Sequence, residues 1–131
     1  MLFRSIQRHV VCSAAVTPNR VRSVNDYLIG VAQAYPERFI TFGTMHADYE
    51  DVEKELDRIK AAGLKGVKLH PVYQGVDIDD VRFVRILAKA GELGLTVVMH
   101  AGDDIGFPGV VRCSPEMIRH ALHMAGPVRL I

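Results

Sequence analysis

The sequence predicts an α/β fold of parallel strands with outer helices, either a section of a (β/α) barrel or an open, doubly wound sheet of five strands. Three observations carry this expectation. Short apolar or β-branched runs recur at 10–16, 39–45, 66–69, 96–99 and 128–131. Stretches of helical periodicity lie between every two of them, and no linker or solenoid-period repeat breaks the alternation.

The strand runs are nearly continuous in apolar character rather than alternating, which predicts burial on both faces. The first helix is announced by Thr17-Pro18, a cap followed by proline, with Val21, Val24, Leu28 and Val31 at helical spacing. Asp48 with Asp51 resembles a capping box for a second helix through Glu55, Leu56 and Ile59, which stops at Gly63. Within it Glu53, Lys54, Glu55, Asp57, Arg58 and Lys60 form a mixed charge run, read as a solvated face. Asp79 or Asp80 opens a third helix carrying Val81, Val84, Leu87 and Ala88 on one side, and Ser114-Pro115-Glu116 opens a last one that closes at Gly126-Pro127.

At 131 residues, 49% hydrophobic and 24% charged, the chain has the size and usage of one globular domain, 1–131, which argues against disorder. A formal charge of +1 leaves no basic footprint for nucleic acid, and no apolar run approaches membrane-spanning length. Cys12 and Cys113 form no C-x-x-C pair and are expected to be buried or half-buried thiols in a reducing cytoplasm. Arg4 and Arg8 ahead of residues 10–16 imitate a secretory leader, but His9 and Ser13 keep the apolar stretch short and favour a strand.

In either architecture, active sites form where strands end at their carboxyl termini. His46, His70 and His100 each fall at such an end, 24 and 30 residues apart, close to one βα unit. Convergent imidazoles suit metal binding or acid–base work, and His100 is best placed because Ala101-Gly102 keep the following turn open. Lys68 shares a face with His70 in an otherwise apolar strand; it is either paired to a carboxylate such as Asp48 or Asp103, or used chemically. Asp103 and Asp104 sit just beyond His100 as metal- or substrate-binding candidates, in a glycine-rich loop (102–109) that reads as a flexible cover for the mouth. His120 and His123 share a face of the last helix and His9 lies at the other end of the sheet, so all three are read as structural or solvated. Nucleophile-elbow, phosphate-loop and dinucleotide templates are absent from the sequence.

Taken together, Tyr35-Pro36-Glu37-Arg38-Phe39-Ile40, then Gly63-Leu64-Lys65-Gly66-Val67-Lys68-Leu69-His70-Pro71, then Leu95-Thr96-Val97-Val98-Met99-His100-Ala101-Gly102 form an ordered set. The set resembles the amidohydrolase-related family, including its aminocarboxymuconate-semialdehyde decarboxylase branch. The resemblance implies a (β/α)8 TIM-type barrel with a divalent metal, commonly zinc, at the strand ends, and a small-molecule substrate. In that family an H-x-H pair, a fifth-strand histidine and an eighth-strand aspartate hold the metal, and a histidine after the sixth strand is the acid–base group. His100 matches the fifth-strand ligand; His46, Lys68, His70, Asp103 and Asp104 remain substrate or supporting candidates without a fixed role. The sequence has no H-x-H, and it is expected to cover strands two to six of a barrel truncated at both ends. The activity implied is metal-dependent hydrolysis, a metal-activated water attacking an amide- or ester-like carbon, with metal-dependent decarboxylation or a catalytically inactive assembly module as alternatives. Exposed strand edges would promote self-association.

Overall fold

The computed structural model describes residues 6–131, so Arg4 of the leader-like pattern lies outside the described residues. Five strands, β1 (His9–Val11), β2 (Phe39–Thr44), β3 (Gly66–Leu69), β4 (Thr96–Met99) and β5 (Arg129–Leu130), form one sheet in the order β1-β2-β3-β4-β5. Every neighbouring pair is parallel. The connections carry α1 (Val21–Ala34), α2 (Val52–Ala61), a single turn α3 (Pro71–Gln74) with α4 (Val81–Glu92), and α5 (Pro115–Ala125).

A doubly wound sheet requires the order of strand addition to reverse once. Here it never reverses, so right-handed crossovers place all the helices on one face. This is the layout of a barrel section, and the doubly wound alternative is not formed.

The register sorts the side chains into two faces. Gly43, Val67, Val97 and Leu130 form one row, on the helix side. Val67, Leu69 and Val97 are fully buried there in a core with Leu28, Leu56, Ile59, Phe83, Ile86 and Leu87. A Cβ at Gly43 would stand 2.9 Å from both Asn25 Oδ1 and Ile59 Cδ1, so α1 and α2 rest directly on the strand. The other face carries Phe42, Gly66 and Thr96 in one row and Thr44, Lys68 and Val98 in the next. The Phe42 ring lies across Gly66, where an added Cβ would also come within 2.1 Å of the Thr96 carbonyl oxygen. Lys68, Thr96 and Val98 on this face are only half-buried.

The strands at 66–69 and 96–99 form as predicted, but the first does not. It ends at Val11 instead of residue 16, and Val10 is 58% exposed. As an edge strand, β1 has a neighbour on one side only, so burial on both faces does not hold for it. Cys12, expected buried or half-buried, is exposed beside this edge; Cys113 is buried, its thiol pushed up to about 11 by burial. Both are free.

Helix starts differ in a similar way. Thr17 donates its hydroxyl to Asn19 Oδ1 at 2.6 Å, and a 3-10 turn (Pro18–Arg20) precedes α1. Asp48 and Asp51 form no capping box, because Asp51 binds Lys54 and Asp48 binds Arg82. Asp80 and Ser114 do cap, accepting from the Arg82 and Met117 backbone N–H.

The charge run on α2 is only partly solvated. Glu55 is 2% exposed and accepts hydrogen bonds from Asn25 Nδ2 (2.8 Å), Arg58 Nε (2.9 Å) and Arg58 Nη2 (2.6 Å). Asn25, itself buried, also takes the Thr44 N–H on its Oδ1 at 2.7 Å and donates to the Thr44 carbonyl at 3.1 Å. β1 ends opposite Thr41, so the Asn25 amide stands in for a neighbouring strand at Thr44.

Candidate functional site

The carboxyl ends of β3 and β4 lie side by side, and the residue after each is a histidine. His70 follows β3 and caps α3, with Pro71 supplying the first helical residue at its preferred φ. Gln74, at the end of that turn, accepts from the His70 N–H at 3.1 Å. Its Nε2 donates to the Ala15 and Met45 carbonyls, each at 2.7 Å, which ties the turn to the chain after β1 and β2. His100 follows β4, its N–H donating to the Leu69 carbonyl at 3.3 Å.

Fixed in this way, the two imidazoles stack with ring centres 4.5 Å apart and planes within 5°. Tyr73 covers the other side of His70 at 3.9 Å, and the Phe107 ring meets Tyr73 at 5.5 Å, tilted by 61°. Asp104 comes in from the loop after β4 and is 9% exposed. Its Oδ2 lies 3.3 Å from His100 Nε2 and 3.8 Å from His70 Nε2, and its Oδ1 accepts from the Gly106 N–H at 2.8 Å. One donor atom from each of His70, His100 and Asp104 falls within 4.8 Å of the other two.

Two imidazoles and a carboxylate are a donor set that divalent ions take, so the residue types fit such an ion; in the stacked arrangement the two ring lone pairs lie in parallel planes, and one ring must turn for both to reach a single ion. His70 Nδ1 accepts from the Tyr73 N–H at 3.4 Å, near the outer limit of a hydrogen bond. Offering the Nε2 lone pair to an ion therefore gives up that weak contact. Burial, followed by the charges of His100 and Lys68, lowers the His70 pKa and favours the neutral, ligating form.

Of the six sequence candidates, His70, His100 and Asp104 meet. Lys68 lies on the same face two residues before His70, close enough for its charge to act there. It has no ion-pair partner within 4.0 Å among the described residues, so the expected pairing to Asp48 or Asp103 is not formed. Asp48 instead meets Arg82 Nη1 at 2.5 Å, and Asp103 Oδ1 accepts from the Gly109 N–H at 3.0 Å, leaving only the Asp103 carbonyl near His100. His46 stands apart, 3% exposed, with Nδ1 accepting from the Asp48 N–H at 3.1 Å and the ring also bonded to the Val16 backbone. With its nitrogens committed to backbone, it holds the chain after β2 in place. His120 pairs with Asp79 on the surface.

Tyr73, Gln74 and Phe107 were not singled out in the sequence. The signal for the first two was His70-Pro71, a cap and helix start whose single turn carries them. Phe107 is placed by the loop, which folds back through an Asp104–Phe107 bridge.

Burial lowers the His46 pKa from the ordinary 6.5 more than the Asp48 charge raises it. The unfolded chain therefore binds more protons than the native one below about pH 6.5, and stability complete above that pH declines as the medium is acidified through the lowered native value. Urea midpoints should fall between pH 7.5 and 5.5, and His46→Asn should flatten that fall.

The amidohydrolase family model matches residues 5–128. A 5-carboxyvanillate decarboxylase from Novosphingobium aromaticivorans, complexed with manganese and 4-hydroxy-3-methoxy-5-nitrobenzoic acid, is 26% identical with a TM-score of 0.64, over 76% of this chain and 32% of that one. A 5-carboxyvanillate decarboxylase from Sphingomonas paucimobilis is 21% identical, TM-score 0.55, over 68% of this chain and 28% of that one. A structure described as an amidohydrolase II gives 19%, TM-score 0.65, over 81% and 38%. The last two share the fold. The chain spans roughly a third of the length of these structures. No curated protein matches the sequence.

Proposed function

Since the chain belongs to the amidohydrolase family, we propose that it forms the metal-holding strand ends of a metal-dependent decarboxylase, acting on a small carboxylated substrate. The observation that carries this reading is the convergence of His70, His100 and Asp104 at the strand ends. It is supported by likeness to a manganese-bound decarboxylase at 26% identity. This displaces hydrolysis as the leading expectation, and manganese joins zinc as the ion to test.

His100 and Asp104 are the main ligands, and His70 completes the set. The ion supplies Lewis-acid chemistry toward a substrate oxygen when bound. The chain's own residues orient the substrate: α3 fixes the His70 ring, and the loop after β4 brings Asp104 and Phe107 over the mouth. The same donors serve a metal-activated water, the hydrolase reading that the family description keeps alive.

The two free cysteines agree with a reducing cytoplasm, and among the described residues no helix is long and apolar enough to cross a membrane. The edges at β1 and β5 and the half-open face favour self-association, which light scattering reads directly.

The deciding experiment dialyses the full chain against Mn2+ or Zn2+, counts the ion retained and follows CO2 release from 5-carboxyvanillate. Retention of about one ion per chain with metal-dependent CO2 release supports the reading. Amide or ester cleavage without CO2 release favours the hydrolase, and no retained ion favours an inactive assembly module.

A further inference from the structure

The backbone of His70 is held on both sides by one residue. Gln74 Oε1 accepts from the His70 N–H at 3.1 Å, and the Gln74 backbone N–H donates to the His70 carbonyl at 2.9 Å. The rest of that side chain reaches across the sheet, its Nε2 hydrogens going to the Ala15 and Met45 carbonyls, each at 2.7 Å. All four residues are buried, so water does not compete for these bonds. None of the bonds involves a ring nitrogen or the Asp104 carboxylate, so Gln74 acts on the donor cluster only through the His70 backbone.

The groups that the Gln74 amide joins belong to three different strand ends. Ala15 lies four residues beyond β1, Met45 directly follows β2 and His70 directly follows β3. The β1–β2 ladder stops at Val11 opposite Thr41 and the β2–β3 ladder at Thr44 opposite Lys68, so neither reaches these residues. The Ala15 N–H is taken by the Thr44 hydroxyl at 2.9 Å, which leaves Ala15 fixed through side chains at both of its backbone groups. An apolar side chain of the same length at position 74 would leave one buried N–H and two buried carbonyls without this partner. The strand ends, and with them the His70 ring, would then be free to shift against one another.

We propose that Gln74 is the positioning residue of the site: by tying the His70 backbone to the chain after β1 and β2, it sets where the His70 ring stands against His100 and beside Asp104. Its effect on ion binding rests on the proposed function; its effect on the ring does not.

The test compares the full chain with Gln74→Met, which keeps the side-chain length and removes the amide. Two quantities are read: NMR signals of the histidine ring protons without metal, and Mn2+ affinity by equilibrium dialysis. In wild type, the rings stacked on His70 at 4.5 Å and 3.9 Å shift its ring protons upfield. In Gln74→Met those signals should move toward their unstacked positions while those of His120, on α5, stay, and Mn2+ affinity should fall about tenfold. Leu95→Ala is the stability control: it empties a buried position at the amino end of β4, lowers Tm, and should leave both readouts unchanged. Should Gln74→Met not fold, Gln74→Asn, one methylene too short to span the same groups, is read in the same way. Unmoved His70 ring signals in a folded variant, or an equal loss of Mn2+ in Leu95→Ala, overturn the proposal. A wild-type chain that retains no Mn2+ defeats the decarboxylase reading alone, and the ring signals still decide the role of Gln74; retained Mn2+ with unmoved ring signals does the reverse.

Discussion

His100→Ala should abolish manganese retention, lowering affinity by at least about 100-fold while the chain stays folded. Loss of a group that merely supports a ligand already costs roughly 10- to 100-fold, and loss of a direct ligand costs more. His100 Nε2 makes the shorter of the two histidine approaches to Asp104, 3.3 Å against 3.8 Å from His70, so its removal takes away the centre of the cluster. The ring is 30% exposed and lies outside the apolar core, and deleting it opens no large cavity. Asp104→Asn should also weaken binding, because the amide keeps the shape of the side chain but not its charge. His46→Ala is the informative control. It stands at an equivalent strand end, yet its Nδ1 is committed to the Asp48 N–H, so ion retention should not change. Metal content after dialysis measures all three, and equal losses at His46 and His100 would refute the assignment.

Asn25→Ala should cost about 3 kcal/mol or more of folding stability, a drop of roughly 10 °C or more in Tm. One side chain serves three buried groups: the Thr44 N–H, the Thr44 carbonyl and the Glu55 carboxylate. Alanine leaves all three without that partner, and Thr44 has no strand beside it on this side to compensate. Glu55 retains Arg58, which limits the loss but cannot reach Thr44. Arg85→Ala breaks an equally visible pair with Glu53, but both side chains are nearly half exposed and the effect should stay within about 1 kcal/mol. Thermal melts of the two variants decide the matter; similar Tm values would refute the role given to Asn25.

These contrasts show what the sequence could disclose. β3 and β4 were legible to the residue because each has strands on both sides and helices above, so apolar continuity reports burial. β1 misled for the opposite reason, since an edge strand needs few apolar residues and Val10 lies open. Strand-end position found His70 and His100, but it equally selected His46, whose bond to a backbone amide two residues on is invisible in composition. The choice between Asp103 and Asp104 rests on loop geometry: one carboxylate caps Gly109, and the other turns inward while binding Gly106. Glu55 was hidden in a charge run, although its helical phase, three residues after Val52 and four before Ile59, places it on the buried stripe.

The uninterrupted strand order has a kinetic consequence. Each strand bonds only to those adjacent in the chain, so every pairing closes a loop of one βα unit at similar entropic cost. No pairing must wait for a distant segment, and the sheet can grow outward from its centre. Amide hydrogen exchange should record this as a gradient: slowest in β3 and β4, which have a strand on both sides and helices over one face, and fastest in three-residue β1 and two-residue β5. The strand ends that carry His70 and His100 thus sit on the slowest-opening part of the molecule, while Asp104 reaches them from the loop after β4.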